Sequence, residues 1–211
     1  MSCLYTEYYS EGVGEYTKTL FPKDFKGVCI DVGAFDPFWA SNSWIAEKNG
    51  WDVYLVEANP NCIPRLRANR KNVYEYACAE YNADDVPFHI YRSPLVGEAA
   101  GTGLIRHGDA WSETLYGEAI PVKVRTLDWL LENEIKVDHI DYLTIDVEHN
   151  EVNVLKGLNF NKWLPKVMVI ESLNDPERLA QFEVIKPFDY RYVRRMSFND
   201  IYILESHYQT L

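Results

Sequence analysis

The fold follows from the segment Val28-Cys29-Ile30-Asp31-Val32-Gly33-Ala34-Phe35-Asp36-Pro37. Its apolar run ends in an acid, a glycine and a small residue, which predicts a buried strand that turns sharply into a ligand-binding loop. A second apolar run, over residues 51–56, ends in Glu57. In such folds a carboxylate at the end of the neighbouring strand binds a ribose. The two segments together predict a cofactor that contains adenosine.

The composition predicts a globular chain without a membrane segment. Hydrophobic residues make up 47% of the 211 residues, which is enough for one large core and one domain over residues 1–211. No apolar run approaches the roughly 18–20 residues that span a bilayer, and the first residues lack the basic and apolar regions of a signal peptide. The four cysteines show no metal-ligand spacing, which favours a reducing compartment and a cytoplasmic location.

The charge of the chain disfavours nucleic acid as a partner. Acidic residues outnumber basic residues 32 to 21, and the net charge of −11 repels a phosphate backbone. The densest basic stretch lies in a predicted helix and contains Arg65, Arg67, Arg70 and Lys71. We expect these side chains to form a solvated helix face.

Strand and helix patterns alternate along the chain, which predicts an α/β sandwich with a mostly parallel sheet and an antiparallel C-terminal hairpin. The strand patterns cover residues 28–32, 53–56, 73–77, 86–91, 121–124, 140–145 and 167–170, and the hairpin covers 191–196 and 200–204. The helix patterns cover residues 12–20, 41–49, 59–69, 127–133, a segment with Val152, Leu155 and Leu158, and 179–185. We expect residues 1–25 to form a helical extension and the glycine-rich residues 93–119 to form a long acceptor-binding loop.

Four acids stand at predicted strand ends, namely Asp31, Glu57, Asp146 and Glu171. The ligand of an open α/β sheet lies beyond the carboxyl ends of its strands, so we expect all four to line one crevice. Each acid taken alone is equally well explained as a helix cap.

The glycine pattern discriminates among adenosine cofactors. Sites for NAD or FAD favour G-x-G-x-x-G, because the backbone must approach a pyrophosphate closely. Here Gly33 stands alone between Asp31 and Asp36, and carboxylates suit a cation better than a phosphate. The segment therefore favours S-adenosylmethionine, which carries a sulfonium and an ammonium and becomes S-adenosylhomocysteine. A nucleotide triphosphatase is disfavoured because the chain has no G-x-x-x-x-G-K-[ST] motif.

Seven short motifs, in this order and spacing, resemble the FkbM family of S-adenosylmethionine-dependent methyltransferases, in particular a compact single-domain subgroup. They are residues 31–34, Ser41-Asn42, Gly50-Trp51, residues 57–60, residues 125–128, residues 141–148 with Glu151, and Leu155-Lys156-Gly157. The resemblance covers about residues 26 to 172. It implies a Rossmann-like class I methyltransferase sandwich with a seven-stranded sheet, and an O-methyltransferase that often acts on sugar hydroxyls of glycans or glycosylated metabolites.

The resemblance also implies roles for matching residues. Those at the methionine end of the cofactor are Asp31, Gly33, Ala34, Asp36, Ser41 and Asn42. Glu57 is implied to bind the ribose, and the residues on the adenine side are Ala58, Ala77, Cys78 and Ala79. The residues beside the transferred methyl group are Asp146, Glu148 and His149.

His149 departs from the family pattern, which usually has glycine there. It is either a tolerated surface change or a general base or substrate contact, because a histidine titrates in the useful range. A divalent metal held by Asp146 and Glu171 would be another way to acidify a hydroxyl, although simple capping is favoured for these acids.

The acceptor is expected to be a carbohydrate or glycoconjugate. The predicted loop carries His107, Trp111 and Tyr116, and aromatic faces with a nearby imidazole suit a sugar; Glu171 is a further candidate contact. Two other classes stay open. An NAD-dependent oxidoreductase is compatible with Glu57, and a non-catalytic binding protein with a methyltransferase fold is compatible with His149.

Overall fold

The computed structural model describes residues 12–91, 102–104 and 119–211, which form ten strands and seven α-helices. The strands are β1 (Val28–Val32), β2 (Asp52–Glu57), β3 (Asn72–Glu75), β4 (Ala77–Cys78), β5 (Ala83–Phe88), β6 (Ile120–Arg125), β7 (Tyr142–Ile145), β8 (Val167–Glu171), β9 (Tyr190–Met196) and β10 (Asn199–Leu204). The helices are α1 (Val13–Thr19), α2 (Trp44–Lys48), α3 (Ile63–Asn69), α4 (Leu127–Leu130), α5 (Glu151–Lys156), α6 (Asp175–Ile185) and α7 (Glu205–Tyr208). Helix α4 continues into a π-helical turn, Leu131–Ile135, and α6 into a 3-10 turn, Lys186–Phe188.

The central sheet has seven strands in the order β3-β2-β1-β7-β8-β10-β9. Its first five strands pair in parallel, and β10 pairs antiparallel with both β8 and β9. The α/β prediction with a mostly parallel seven-stranded sheet and a C-terminal hairpin is thus confirmed. The order reverses between β1 and β7, which places a ligand crevice beyond the carboxyl ends of these two strands.

The core lies on both faces of this sheet because successive residues of a strand point to opposite sides. On β1, Ile30 packs with Leu130 and Leu155, from helices α4 and α5. Its neighbour Cys29 packs in a second cluster with Leu66 of α3. Helices α1 to α3 therefore cover one face, and α4 to α6 cover the other.

The predicted strand over residues 73–77 is wrong in one respect, because it divides between two sheets. Residues 72–75 form β3 of the central sheet, whereas Ala77 pairs with Val124 of β6 in a second sheet of order β4-β6-β5. The predicted strands over 86–91 and 121–124 belong to that second sheet. Strand β5 also begins earlier than predicted, at Ala83, and Asp85, with φ of 56°, shifts its register against β6.

Three helix starts also differ from the sequence prediction. Helix α2 begins at Trp44 instead of residue 41, α3 at Ile63 instead of residue 59, and α6 at Asp175 instead of residue 179. The Asn59 side chain accepts a hydrogen bond from the Asn61 amide at 3.0 Å, so it closes a turn ahead of the helix. Helix α4 begins where the sequence predicts and is capped by Thr126, whose hydroxyl oxygen accepts from the Trp129 amide at 3.1 Å.

Within the described ranges, no helix is both long and apolar enough to cross a membrane.

Candidate functional site

The turn after β1 is shaped by a close approach that only glycine permits. Gly33 has φ of 89°, and a Cβ there would lie 1.7 Å from the carbonyl oxygen of Asp146. The Gly33 amide donates to Val56 at 2.9 Å, and the Asp146 amide donates to Val32 at 2.9 Å. The loop after β1 and the residue after β7 are therefore in direct contact, as the strand-end argument predicts. The methyl of Ala34 packs into the core instead.

Glu57 is buried at the end of β2 and binds the backbone of two loops. One carboxylate oxygen accepts from the Phe35 amide at 2.7 Å and the other from the Asn59 amide at 2.6 Å. Burial raises the pKa of Glu57, although these amide donors act in the opposite direction. A carboxylate has about four acceptor positions, so the group can hold the loops and still accept from ribose hydroxyls.

Asp31 and Asp36 have different surroundings, which alters the charge argument drawn from them. Asp31 accepts a hydrogen bond from the Ser43 hydroxyl, and burial raises its pKa. Asp36 accepts from the Phe38 and Trp39 amides at 2.9 and 2.8 Å and forms an ion pair with Arg65. Because Arg65 balances its charge, Asp36 no longer supports the inference of a cationic ligand.

Arg70 contradicts the predicted solvated helix face, since only 4% of it is exposed. It donates to the carbonyl of Pro37 at 2.8 Å and to the Ser43 hydroxyl at 2.9 Å, and it pairs with Glu47. It also donates to Ser41 at 3.3 Å. The expected cofactor residue Ser41 therefore belongs to a network that holds the loop after β1 over the sheet.

Asn42 and Asn59 each have a buried side-chain amide atom without a hydrogen-bond partner within the part of the chain that the structure describes. One is Oδ1 of Asn42, whose Nδ2 donates to Asn199 at 3.0 Å and to Thr144 at 3.3 Å. The other is Nδ2 of Asn59, beside Glu57. An unsatisfied buried polar atom in a native structure needs an explanation, and a bound ligand is one. Sequence analysis gave Asn59 no role in ligand binding.

The predicted adenine side is only partly assembled as expected. Ala58, Ala77 and Ala79 share one apolar cluster. The Cys78 side chain instead packs in the main core, where burial raises the pKa of its thiol to about 12. The Cys78 carbonyl accepts from Asn150 at 2.9 Å, so part of its predicted capacity to contact adenine is already used.

Asp146 and Glu171 form a pair of carboxyl groups at the ends of β7 and β8. Burial is the main cause that raises the pKa of Asp146, to about 6, and a hydrogen bond from Glu171 acts against it. The pKa of Glu171 is raised by burial and by the negative charge of Asp146, Glu148 and Glu151. Each carboxyl group therefore opposes the ionisation of the other, and the pair binds a proton more tightly than two separate acids would. No group of three or more His, Cys, Asp or Glu residues suited to a metal ion occurs among the described residues, and the metal stays an open prediction.

The loop after β7 carries two consecutive residues in the left-handed region. Glu148 has φ of 57° and His149 has φ of 69°. The His149 Nδ1 lies 2.8 Å from Oε1 of Glu177, a residue of α6 that sequence analysis missed. No sequence signal relates these two residues, which are 28 positions apart. The predicted acceptor residues His107, Trp111 and Tyr116 lie outside the described residues.

The strand order, the glycine turn against β7 and the acids at four strand ends place the protein among the Rossmann-like methyltransferases. The sequence model of the methyltransferase FkbM domain matches residues 31–204, so the chain belongs to the FkbM methyltransferase family. The predicted family is thus confirmed. No curated protein sequence matches the chain at a significant level.

The chain is similar to three solved structures at low sequence identity. A ribosomal protein L11 methylase from Lactobacillus delbrueckii subsp. bulgaricus is 9% identical, with a TM-score of 0.48 over 93% of this chain and 76% of the other. A precorrin-6y C5,15-methyltransferase from Geobacter metallireducens is 11% identical, with a TM-score of 0.46 over 90% and 87%. A precorrin 8w decarboxylase from Methanobacterium thermoautotrophicum is 14% identical, with a TM-score of 0.44 over the same shares.

Family membership implies S-adenosylmethionine as the methyl donor, and the residues of the crevice fit that molecule. The unpartnered Asn42 oxygen and the Asp31 carboxylate are acceptors suited to an ammonium group. Glu57 offers acceptors for hydroxyls, and the unpartnered Asn59 amide is a donor suited to a ring nitrogen. The apolar cluster of Ala58, Ala77 and Ala79 suits an adenine face.

Proposed function

We propose that the protein catalyses S-adenosylmethionine-dependent O-methylation of a sugar hydroxyl in a glycan or glycosylated metabolite. The observation that carries the proposal is the group of titratable side chains after β7. Asp146 and His149 follow this strand, and Glu171, the carboxyl partner of Asp146, ends the neighbouring strand β8. The backbone of Asp146 touches the turn at Gly33. Groups able to accept a proton are therefore present at the same strand ends as the loop implied to bind the donor.

The bound cofactor supplies an activated methyl group, so the protein must align the acceptor oxygen and accept its proton. The methyl–sulfur bond breaks as the methyl–oxygen bond forms, and the hydroxyl proton passes to a base. A sugar hydroxyl is a weak nucleophile and gains from such a base. Asp146, Glu148 and His149 are the candidates for that base.

The remaining expectations belong to the same proposal. A carbohydrate acceptor agrees with the family resemblance, and the net charge of −11 argues against a nucleic acid acceptor. We propose a cytoplasmic location, which suits the free thiols of Cys29 and Cys78.

Ligand binding followed by product analysis tests the proposal. S-adenosylhomocysteine at 100 times its Kd is expected to stabilise the fold by about 2.7 kcal/mol, whereas NAD is expected to leave the unfolding temperature unchanged. With S-adenosylmethionine present, a panel of hexose and deoxyhexose acceptors is then screened for the mass gain of one methyl group. Stabilisation by NAD alone would indicate an oxidoreductase. Binding of S-adenosylhomocysteine without methyl transfer to any hydroxyl would indicate a binding protein.

A further inference from the structure

We propose that Glu177 is a positioning residue that keeps His149 in the tautomer protonated at Nδ1, so that Nε2 accepts the proton of the acceptor hydroxyl. This inference rests on the proposed function and selects His149 from its three candidate bases. It assigns a role to a residue of α6 that lies outside the seven motifs by which the sequence resembles the family.

Glu177 is held in a fixed position from several sides. Its Oε2 accepts from the Leu173 amide at 2.7 Å, and its Oε1 accepts from Nδ2 of Asn174 at 2.9 Å. Its own amide donates to Oδ1 of Asn174, the N-cap of α6, at 3.0 Å. Capping therefore accounts for part of its contacts, and the bond to His149 is an addition to the cap.

The His149–Glu177 contact determines where the imidazole carries its proton. Oε1 of Glu177 and Nδ1 of His149 are 2.8 Å apart, and both side chains are about three-quarters buried, at 26% exposure each. A carboxylate is an acceptor only, so Nδ1 must be the donor. In the neutral ring the lone pair then lies on Nε2, the nitrogen that can serve as a base. A partner on one ring nitrogen also fixes the orientation of the ring.

The backbone conformation of His149 favours a functional role for this residue over its interpretation as a tolerated surface change. His149 adopts φ of 69° directly after Glu148 at 57°, a conformation that glycine reaches without strain. Strained backbone of this kind persists where the surroundings hold it, and it is concentrated at functional sites. The loop lies against the described residues 102–104, since a Cβ on Gly103 would be 3.3 Å from the Val147 carbonyl.

The first test reads the tautomer directly and needs no acceptor. In protein labelled with ¹⁵N-histidine, long-range ¹H–¹⁵N spectra distinguish protonation at Nδ1 from protonation at Nε2, and His149→Gln identifies the His149 signals among the five histidines. We expect the neutral wild-type ring to carry its proton on Nδ1. In Glu177→Gln, whose amide can donate, we expect the population protonated at Nε2 to rise. A wild-type ring protonated at Nε2, or an unchanged tautomer in Glu177→Gln, would overturn the proposal.

The second test is kinetic and has a matched control on the same turn of α6. Glu177→Gln is expected to lower kcat at least tenfold with the KM for S-adenosylmethionine unchanged, because general-base catalysis contributes on the order of 10²–10⁴. Asp175→Asn makes the same chemical change at a side chain that is 74% exposed and pairs with Arg178 at 3.1 Å. It is expected to leave both kcat and the tautomer unchanged.

An equal loss of kcat in the two variants would show a general effect on α6 and overturn the positioning role. Failure of the wild-type protein to methylate any hydroxyl would instead overturn the proposed function. The two failures are distinguishable, because the tautomer is measured without an acceptor.

Discussion

Gly33 lies where the backbone of the loop after β1 touches the residue that follows β7. Its φ of 89° is close to the 86° of Gly50, but the surroundings of the two glycines differ. A Cβ on Gly33 would lie 1.7 Å from the Asp146 carbonyl, whereas one on Gly50 would meet only the flexible end of Lys26 at 3.4 Å. A comparison of alanine substitutions at Gly33 and Gly50 therefore separates the energetic cost of the positive φ angle from the cost of the contact with Asp146.

We expect Gly50→Ala to lower the free energy of unfolding by about 1–2 kcal/mol, the cost of a left-handed residue with a Cβ. Gly33→Ala should cost more than this and should also weaken S-adenosylhomocysteine binding, because the loop must move away from β7. Urea unfolding and calorimetry measure the two quantities. Equal destabilisation with unchanged binding in both variants would show that the contact at Asp146 is not needed.

Two arginines at the C-terminal end of helix α3 show how burial changes what an arginine does. Arg70, which directly follows α3, is buried and donates to the loop after β1, whereas Arg67 within the helix is 55% exposed and lies 3.5 Å from Glu75. Arg70→Met should cost about 3–5 kcal/mol, because Glu47 stays buried without its partner. Arg67→Met should cost at most about 1 kcal/mol.

Hydrogen exchange locates the effect of these two substitutions. Arg70→Met is expected to speed exchange of the amides over residues 35–43, and Arg67→Met is not. Equal costs in unfolding free energy, or unchanged exchange in Arg70→Met, would contradict the role of Arg70 in holding this loop. Sequence analysis placed both arginines on one solvated face because the pattern of charges along a helix does not show which side chain meets a loop 30 residues earlier.

At the scale of the whole molecule, the strands of the central sheet could be predicted from the sequence. The pairing of residues far apart in the chain could not. The segments Val28–Val32 and Val167–Glu171 are nearly continuous apolar runs with an acid at or near the end, and such runs locate buried strands. The exchange of sheets near Tyr76 left no local signal, because it depends on the pairing of Ala77 with Val124, 47 positions away. For the same reason the types of residue at the site were predictable, while the pairing of His149 with Glu177 was not.

The acid-rich crevice affects the stability of the whole molecule through pH. The pKa of Asp146 is raised to about 6 and that of Glu151 to about 7, and the pKa of Glu171 is also raised, in each case mainly by burial. Between about pH 4 and pH 7 the folded protein therefore binds more protons than the unfolded chain. Its free energy of unfolding must fall as the pH rises through this range, because ionisation of these groups is unfavourable only in the folded state.

Glu171→Gln removes one member of the carboxyl pair, so Asp146 no longer shares a proton with a second acid. The raised pKa of Glu171 means that its ionisation destabilises the folded wild type as the pH rises. We therefore expect the free energy of unfolding of the variant, relative to that of the wild type, to be higher at pH 8 than at pH 5. Urea unfolding at both pH values measures the gain, and Glu183→Gln, the same change at an exposed position of α6, is the control. No gain in Glu171→Gln would show that the pair does not share a proton, because only a group with a raised pKa makes the unfolding free energy fall with pH in this range. An equal gain in Glu183→Gln would show that the gain does not come from the pair.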